Sequence, residues 1–140
     1  KSLPALEKNG LVYVQKEKES PRWTIKLNRD NPKVFEMKRA ENLKMLYESG
    51  APEILAENFP GCTIILFGSF SRGDDTEKSD IDIAIIGLKE KNLSLTKSEK
   101  LLERTIFLHF FGSLKKINKN LKNNILNGIL LSGGIELWIL

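Results

Sequence analysis

Phe67-Gly68-Ser69-Phe70-Ser71-Arg72-Gly73-Asp74-Asp75-Thr76-Glu77-Lys78-Ser79-Asp80-Ile81-Asp82-Ile83-Ala84-Ile85-Ile86 is the stretch that decides the fold. An apolar run, Thr63 to Phe67, stops at Gly68-Ser69, a polar turn follows, and a second apolar run opens with acids at Asp80 and Asp82. Alternation along a strand puts both carboxylates on one face, with Ile81 and Ile83 on the other. Two such carboxylates repel unless a cation sits between them, and hard oxygen donors suit Mg2+, which favours carboxylates plus substrate phosphates. The Gly-Ser turn offers backbone N–H groups and a hydroxyl to a phosphate beside that ion. These features imply nucleotide binding, with phosphoryl or nucleotidyl transfer as the chemistry. The competing reading is a solvated, acid-rich surface loop. That reading leaves Asp82 unexplained, because a charge inside an apolar strand is costly without a partner.

Gly68-Ser69, ten intervening residues and Asp80-Ile81-Asp82 resemble the motif of the DNA polymerase beta-like nucleotidyltransferases, with the minimal nucleotidyltransferases of archaea and bacteria as the nearest branch. Leu66-Phe67, Arg72-Gly73 and Ser79 add flanking matches. A bare Gly-Ser or Asp-x-Asp carries little, whereas strand, turn and strand with this spacing carry much. The resemblance implies an α/β (α+β) fold with a small mixed sheet flanked by helices. It implies nucleotide contacts at Gly68, Ser69, Arg72 and Ser79, and it makes Asp80 and Asp82 both catalytic and metal-binding. The implied cofactor is Mg2+, with Mn2+ as the alternative ion, and the substrate is ATP or another nucleoside triphosphate. Arg72 would grip the triphosphate through its planar donors. Its competing role is a surface ion pair with Asp74 or Asp75.

The family's catalytic members draw a third carboxylate from the following strand. Here that strand reads Thr105-Ile106-Phe107-Leu108-His109-Phe110-Phe111 and holds no acid. Phe107 takes the aligned position, and His109 shares its face. Neutral imidazole serves as metal ligand or base, and a lone His in an apolar strand also serves as a hydrogen-bonded structural residue. Glu99 and Glu103, on the preceding helix, read as solvent-facing. Two functions follow. One is an enzyme that moves a nucleotidyl group onto a protein or small-molecule hydroxyl, antitoxin-like, with a HEPN-type nuclease toxin as the protein acceptor that the resemblance implies. The other is a catalytically weak or inactive nucleotide-binding, DNA-binding regulatory module.

The rest of the chain organises around this segment. Residues 2–9 read as a helix end stopped at Asn9-Gly10, followed by a strand at 11–14, a Lys/Glu-rich turn and a returning strand at 22–27. This part resembles the end of a winged helix-turn-helix domain, with a wing around Lys16–Arg22 that would touch DNA; a hairpin packed on the following domain is the alternative. The expected division is 1–31 for the wing-like hairpin and 32–140 for the nucleotidyltransferase-like domain. Helices are expected at 34–49, 52–56, 98–104 (with Leu101 and Leu102 inward) and 113–127 (capped by Ser113), and strands at 62–67, 80–87 and 105–111. The apolar tail 129–139, with a Gly133-Gly134 turn, is expected to form an edge strand or to dock on a partner. Lys115-Lys116 and Lys119–Lys122 form either a phosphate-contacting face or the solvated side of an amphipathic helix.

Composition sets the outer bounds. Over 140 residues, 41% hydrophobic and 29% charged residues are those of a water-soluble globular domain, and no apolar run is long enough to span a membrane. No secretory leader is evident, and the single Cys62 forms no internal disulfide, so a cytoplasmic location is expected. The net charge of +4 favours phosphate-bearing partners. The opening Lys1-Ser2-Leu3, without Met, suggests a fragment or processed chain.

Overall fold

The computed structural model describes residues 3–16, 18 and 22–140. A short helix α1 (Leu3–Lys8) leads into a two-stranded antiparallel hairpin, β1 (Val12–Lys16) and β2 (Trp23–Leu27). Most of the expected wing tip (17 and 19–21) lies outside the described residues. Helix α2 (Pro32–Glu48) starts where Asn31 caps it, its side chain accepting from Lys33 N–H, with Pro32 at the first helical position. Helix α3 (Ala51–Asn58) is longer than the expected 52–56.

A four-stranded mixed sheet follows, with β3 (Thr63–Phe67), β4 (Ile81–Ile86), β5 (Ile106–Phe111) and β6 (Ile129–Ser132) in the order β5-β4-β3-β6. β3 pairs antiparallel with β4 and with β6, whereas β4 and β5 are parallel. The parallel pair is joined through α5 (Thr96–Leu102), as a parallel connection requires. All five residues of β3 are buried because both faces of the sheet are covered, which explains its unbroken apolar run. On one face Ile64, Leu66, Ile81, Ile83 and Ile85 pack with Leu46, Leu55, Phe59 and Phe70 of the preceding helices and the motif turn. On the other, Ile65, Phe67, Ala84 and Ile86 pack with Leu114, Ile125 and Ile139. The expected small mixed sheet flanked by helices is what the chain forms.

Within the expected polar turn, residues 69–72 form one helical turn, α4 (Ser69–Arg72). Two local expectations need correction. Helix α6 spans Lys119–Leu126 instead of starting at 113, because Leu114 N–H donates to Ile139 C=O and Asn118 supplies the cap. Leu114 is therefore buried by tertiary contact and not by helical periodicity. In α5 Leu102 is half-buried and packs against the core as expected, but Leu101 stays 68% exposed, and Ser98 turns inward, its hydroxyl donating to Ser49 C=O. The tail does form the edge strand β6 beside β3.

Candidate active site

The site is built at the junction of β3, α4, β4 and β5. Phe67, the last residue of β3, pairs with Asp82, which in turn pairs with Phe107 of β5. Ile81 and Ile83 are fully buried in the core, and Asp82 between them is half-buried on the opposite face. Asp80 precedes β4 and is exposed. The alternation expected from sequence thus holds for Ile81, Asp82 and Ile83, while Asp80 lies just outside the strand.

Gly68 makes the junction possible. Its backbone lies at φ 81° and ψ −166°, a region essentially restricted to glycine. A Cβ at this residue would sit 2.8 Å from Asp82 Oδ2, so glycine also leaves the space that this carboxylate occupies. The chain then turns into α4, where Phe70 is buried in the core and Ser69 stands half-exposed at the first helical position. The Ser71 hydroxyl closes the turn by donating to Gly68 C=O at 2.6 Å. Gly73 ends it at φ 79°, packed so tightly on α2 that a Cβ would meet Phe35 C=O at 2.3 Å. The turn is thereby held against α2 as well as against the sheet.

Of the other sequence-predicted residues, His109 comes to the site: its Nε2 lies 3.0 Å from Asp82 Oδ1, and its ring meets Phe67 edge-on at 5.2 Å. Arg72 turns instead onto Asp74, with Nε 3.1 Å from Oδ2. The Ser79 hydroxyl accepts from Thr76 N–H, and its carbonyl accepts from Arg104. Phe107 is 49% exposed and brings no polar atom. Glu99 is not fully solvent-facing, since its Oε2 accepts from Ile106 N–H at 2.9 Å, a structural use of the carboxylate. Glu103 is exposed.

The sequence reading missed Asp75. Its side chain is completely buried, with Asn42 donating to Oδ1 at 2.8 Å, Lys38 Nζ 3.3 Å from the same oxygen and Arg104 3.1 Å from Oδ2. The Arg104 contact is close but poorly aligned for a hydrogen bond. Burial alone would raise the Asp75 carboxyl; the Asn42 bond and the two cations outweigh it and hold the carboxyl below its ordinary value. Asn42 also donates to Phe70 C=O, and Arg104 stacks over the Phe70 ring at 5.6 Å. The motif turn is thus tied to α2 and to the segment between α5 and β5 through one buried anion. Elsewhere, burial pushes the Cys62 thiol up, as befits a small core residue.

The donors decide whether a divalent cation suits this arrangement. Asp80 and Asp82 present hard carboxylate oxygens, Asp80 makes no ion pair among the described residues, and Asp82 Oδ2 rests in the space that Gly68 leaves. Among the described residues, no three His, Cys, Asp or Glu side chains already converge on one point. The set fits an open site that a substrate's phosphates complete, not a closed protein cage.

The sequence model of the nucleotidyltransferase domain family matches residues 49–130, more than half of the chain. These residues include the Gly68–Asp82 segment and all of β5. A Methanocaldococcus jannaschii protein named "Putative protein adenylyltransferase" is 75% identical over 24 residues, which cover 17% of this chain and 24% of that protein. No described helix is long and apolar enough to cross a membrane.

Proposed function

We propose, from the premise that the chain belongs to the nucleotidyltransferase domain family, that it binds a nucleoside triphosphate with Mg2+ and transfers its nucleotidyl group to a hydroxyl. The single observation that supports this reading is the apposition of Gly68 and Asp82, in which the glycine turn of the motif lies directly against the Asp82 carboxylate. The Ser69 hydroxyl and the N–H groups opening α4 would receive phosphate oxygens, and Arg72 would leave Asp74 to grip the triphosphate. Ser79 would set the start of β4 beside the nucleotide. Asp80 and Asp82 would hold the cation, which supplies charge neutralisation on the phosphates when bound. In the transfer, the acceptor oxygen forms a bond to the α-phosphorus, the α–β phosphoanhydride breaks, and pyrophosphate leaves while the hydroxyl proton passes to a base. ATP as donor and a protein hydroxyl as acceptor are supported by the short match to a protein named as an adenylyltransferase. A HEPN-type toxin is the acceptor class implied by the resemblance to minimal nucleotidyltransferases, and the protein would act in the cytoplasm.

A second reading is favoured by a specific observation. Phe107 stands in register with Asp82 and brings no acid there, so a nucleotide-binding regulatory module with weak or no turnover is the alternative. In that version residues 1–31 would act as a wing-like unit on DNA, supported by the exposed Lys16, Lys18 and Arg22 of the hairpin.

The test uses ATP labelled at the α- or at the γ-phosphate, with Mg2+ and candidate protein acceptors. Transfer of α-label only, lost in Asp80→Asn and Asp82→Asn, is the expected result. Transfer of γ-label contradicts nucleotidyl chemistry. Metal-dependent binding without any transfer favours the regulatory module.

A further inference from the structure

The geometry points to His109 as a ligand beside Asp82 in this metal site, in a mixed donor set that shifts preference from Mg2+ toward first-row transition ions. The inference rests on the reading that Asp80 and Asp82 hold the cation. β5 runs parallel to β4 with Phe107 opposite Asp82 and His109 opposite Ala84, which puts the imidazole on the same face as the Asp82 carboxylate. Nε2 of His109 and Oδ1 of Asp82 are 3.0 Å apart. Two donors on neighbouring corners of an octahedron, with bonds of about 2.1 Å, are separated by about 3.0 Å. The pair therefore already has the spacing of adjacent ligands, and to hold one ion the two side chains need only turn their lone pairs from each other toward it at nearly constant separation.

The ring is also positioned for this role. Phe67 meets it edge-on at 5.2 Å and Phe107 lies at 6.5 Å, while the side chain keeps 36% of its surface open to solvent. The aromatic contacts limit where the imidazole can swing, and the open side gives an ion access. Two carboxylates alone suit Mg2+, Ca2+ or Mn2+, whereas imidazole nitrogen suits the softer transition ions. One nitrogen beside two oxygens gives a set that binds Mn2+ better than Mg2+. Phe107, where no acid stands, leaves this face of β5 with His109 as its one ligating side chain.

His109 is the one histidine among the 140 residues, so an imidazole signal from the tag-free chain is assigned without mutation. The experiment is pulsed electron paramagnetic resonance on Mn2+ bound to the intact chain with inorganic triphosphate, a probe that contains no nitrogen. The expected result is nitrogen modulation of a directly bound imidazole, changing to the 15N pattern when histidine alone is 15N-labelled. His109→Gln is expected to lose that modulation and to bind Mn2+ about tenfold more weakly, with a smaller change for Mg2+. Mn2+ binding that depends on Asp82 but shows no imidazole modulation overturns ligation by His109 and leaves the carboxylate reading standing. Mn2+ binding that survives both Asp80→Asn and Asp82→Asn overturns the two together.

Discussion

The Gly68 backbone and the Asp82 carboxylate occupy adjoining space so closely that a single methyl group on Gly68 would lie 2.8 Å from Asp82 Oδ2. One residue therefore sets the path of the turn and the seat of the acid. The two halves of the motif, twelve residues and more apart in the chain, are coupled at this contact.

Gly68→Ala is accordingly expected to act twice. Its φ of 81° with ψ −166° costs a non-glycine residue about 1–3 kcal/mol of folding stability, and the added Cβ must displace the carboxylate. Chemical denaturation and nucleotide titration check this together: lowered stability and weakened metal-dependent binding are expected. An alanine variant of unchanged stability contradicts the geometry of the turn.

Asp75 is expected to matter for folding through its charge. Asp75→Ala strands two largely buried cations and should cost about 3 kcal/mol or more. Its carboxyl lies below the ordinary value of about 3.9 in the folded protein, so the stabilisation is complete above that value. It fades as the pH falls below about 4, through the lower folded-state value. The stability gap between the wild type and Asp75→Asn, followed by denaturation from pH 7 to pH 3, should be flat at first and then shrink. A gap that widens in acid contradicts the ion cluster.

Arg72 and Asp74 form an exposed pair, 54% and 42% open, and such pairs contribute between about zero and 1 kcal/mol. Arg72→Ala should leave stability within about 0.5 kcal/mol of wild type and weaken ATP binding about tenfold or more, the worth of a charge-assisted hydrogen bond. Asp74→Ala should be as neutral for stability and should not weaken ATP binding. If both substitutions are neutral for ATP, Arg72 is only the surface partner of Asp74.

Much of this architecture is legible in the sequence where local pattern and burial agree. The β3 and β4 strands are apolar runs bounded by Gly61 and Gly68 and by Asp80 and Gly87, and the sheet buries them on both faces. The placement of Asp82 follows from alternation alone. What escapes is set by contacts distant in sequence. Asp75 reads as one more acid of a polar turn, and nothing near it announces Lys38, Asn42 or Arg104 as partners. The helical spacing of Leu114 and Ile117 misleads because Leu114 N–H is taken by Ile139 C=O, outside any helix. Leu101 misleads likewise, since the inward side of the short α5 is taken by Leu102 and by Ser98, bonded to Ser49. His109 is visible as a lone histidine, but only the β4–β5 register brings it to Asp82.

On the proposed function, the Gly68–Asp82 segment binds a nucleoside triphosphate through a divalent cation. Titration calorimetry of ATP into the protein, with Mg2+ and with chelator, for the wild type and for Asp80→Asn with Asp82→Asn, tests it most directly. The expected result is binding that requires Mg2+ in the wild type and is lost in the double variant while its fold persists. ATP binding of equal strength in the double variant, or without any divalent ion, would contradict it.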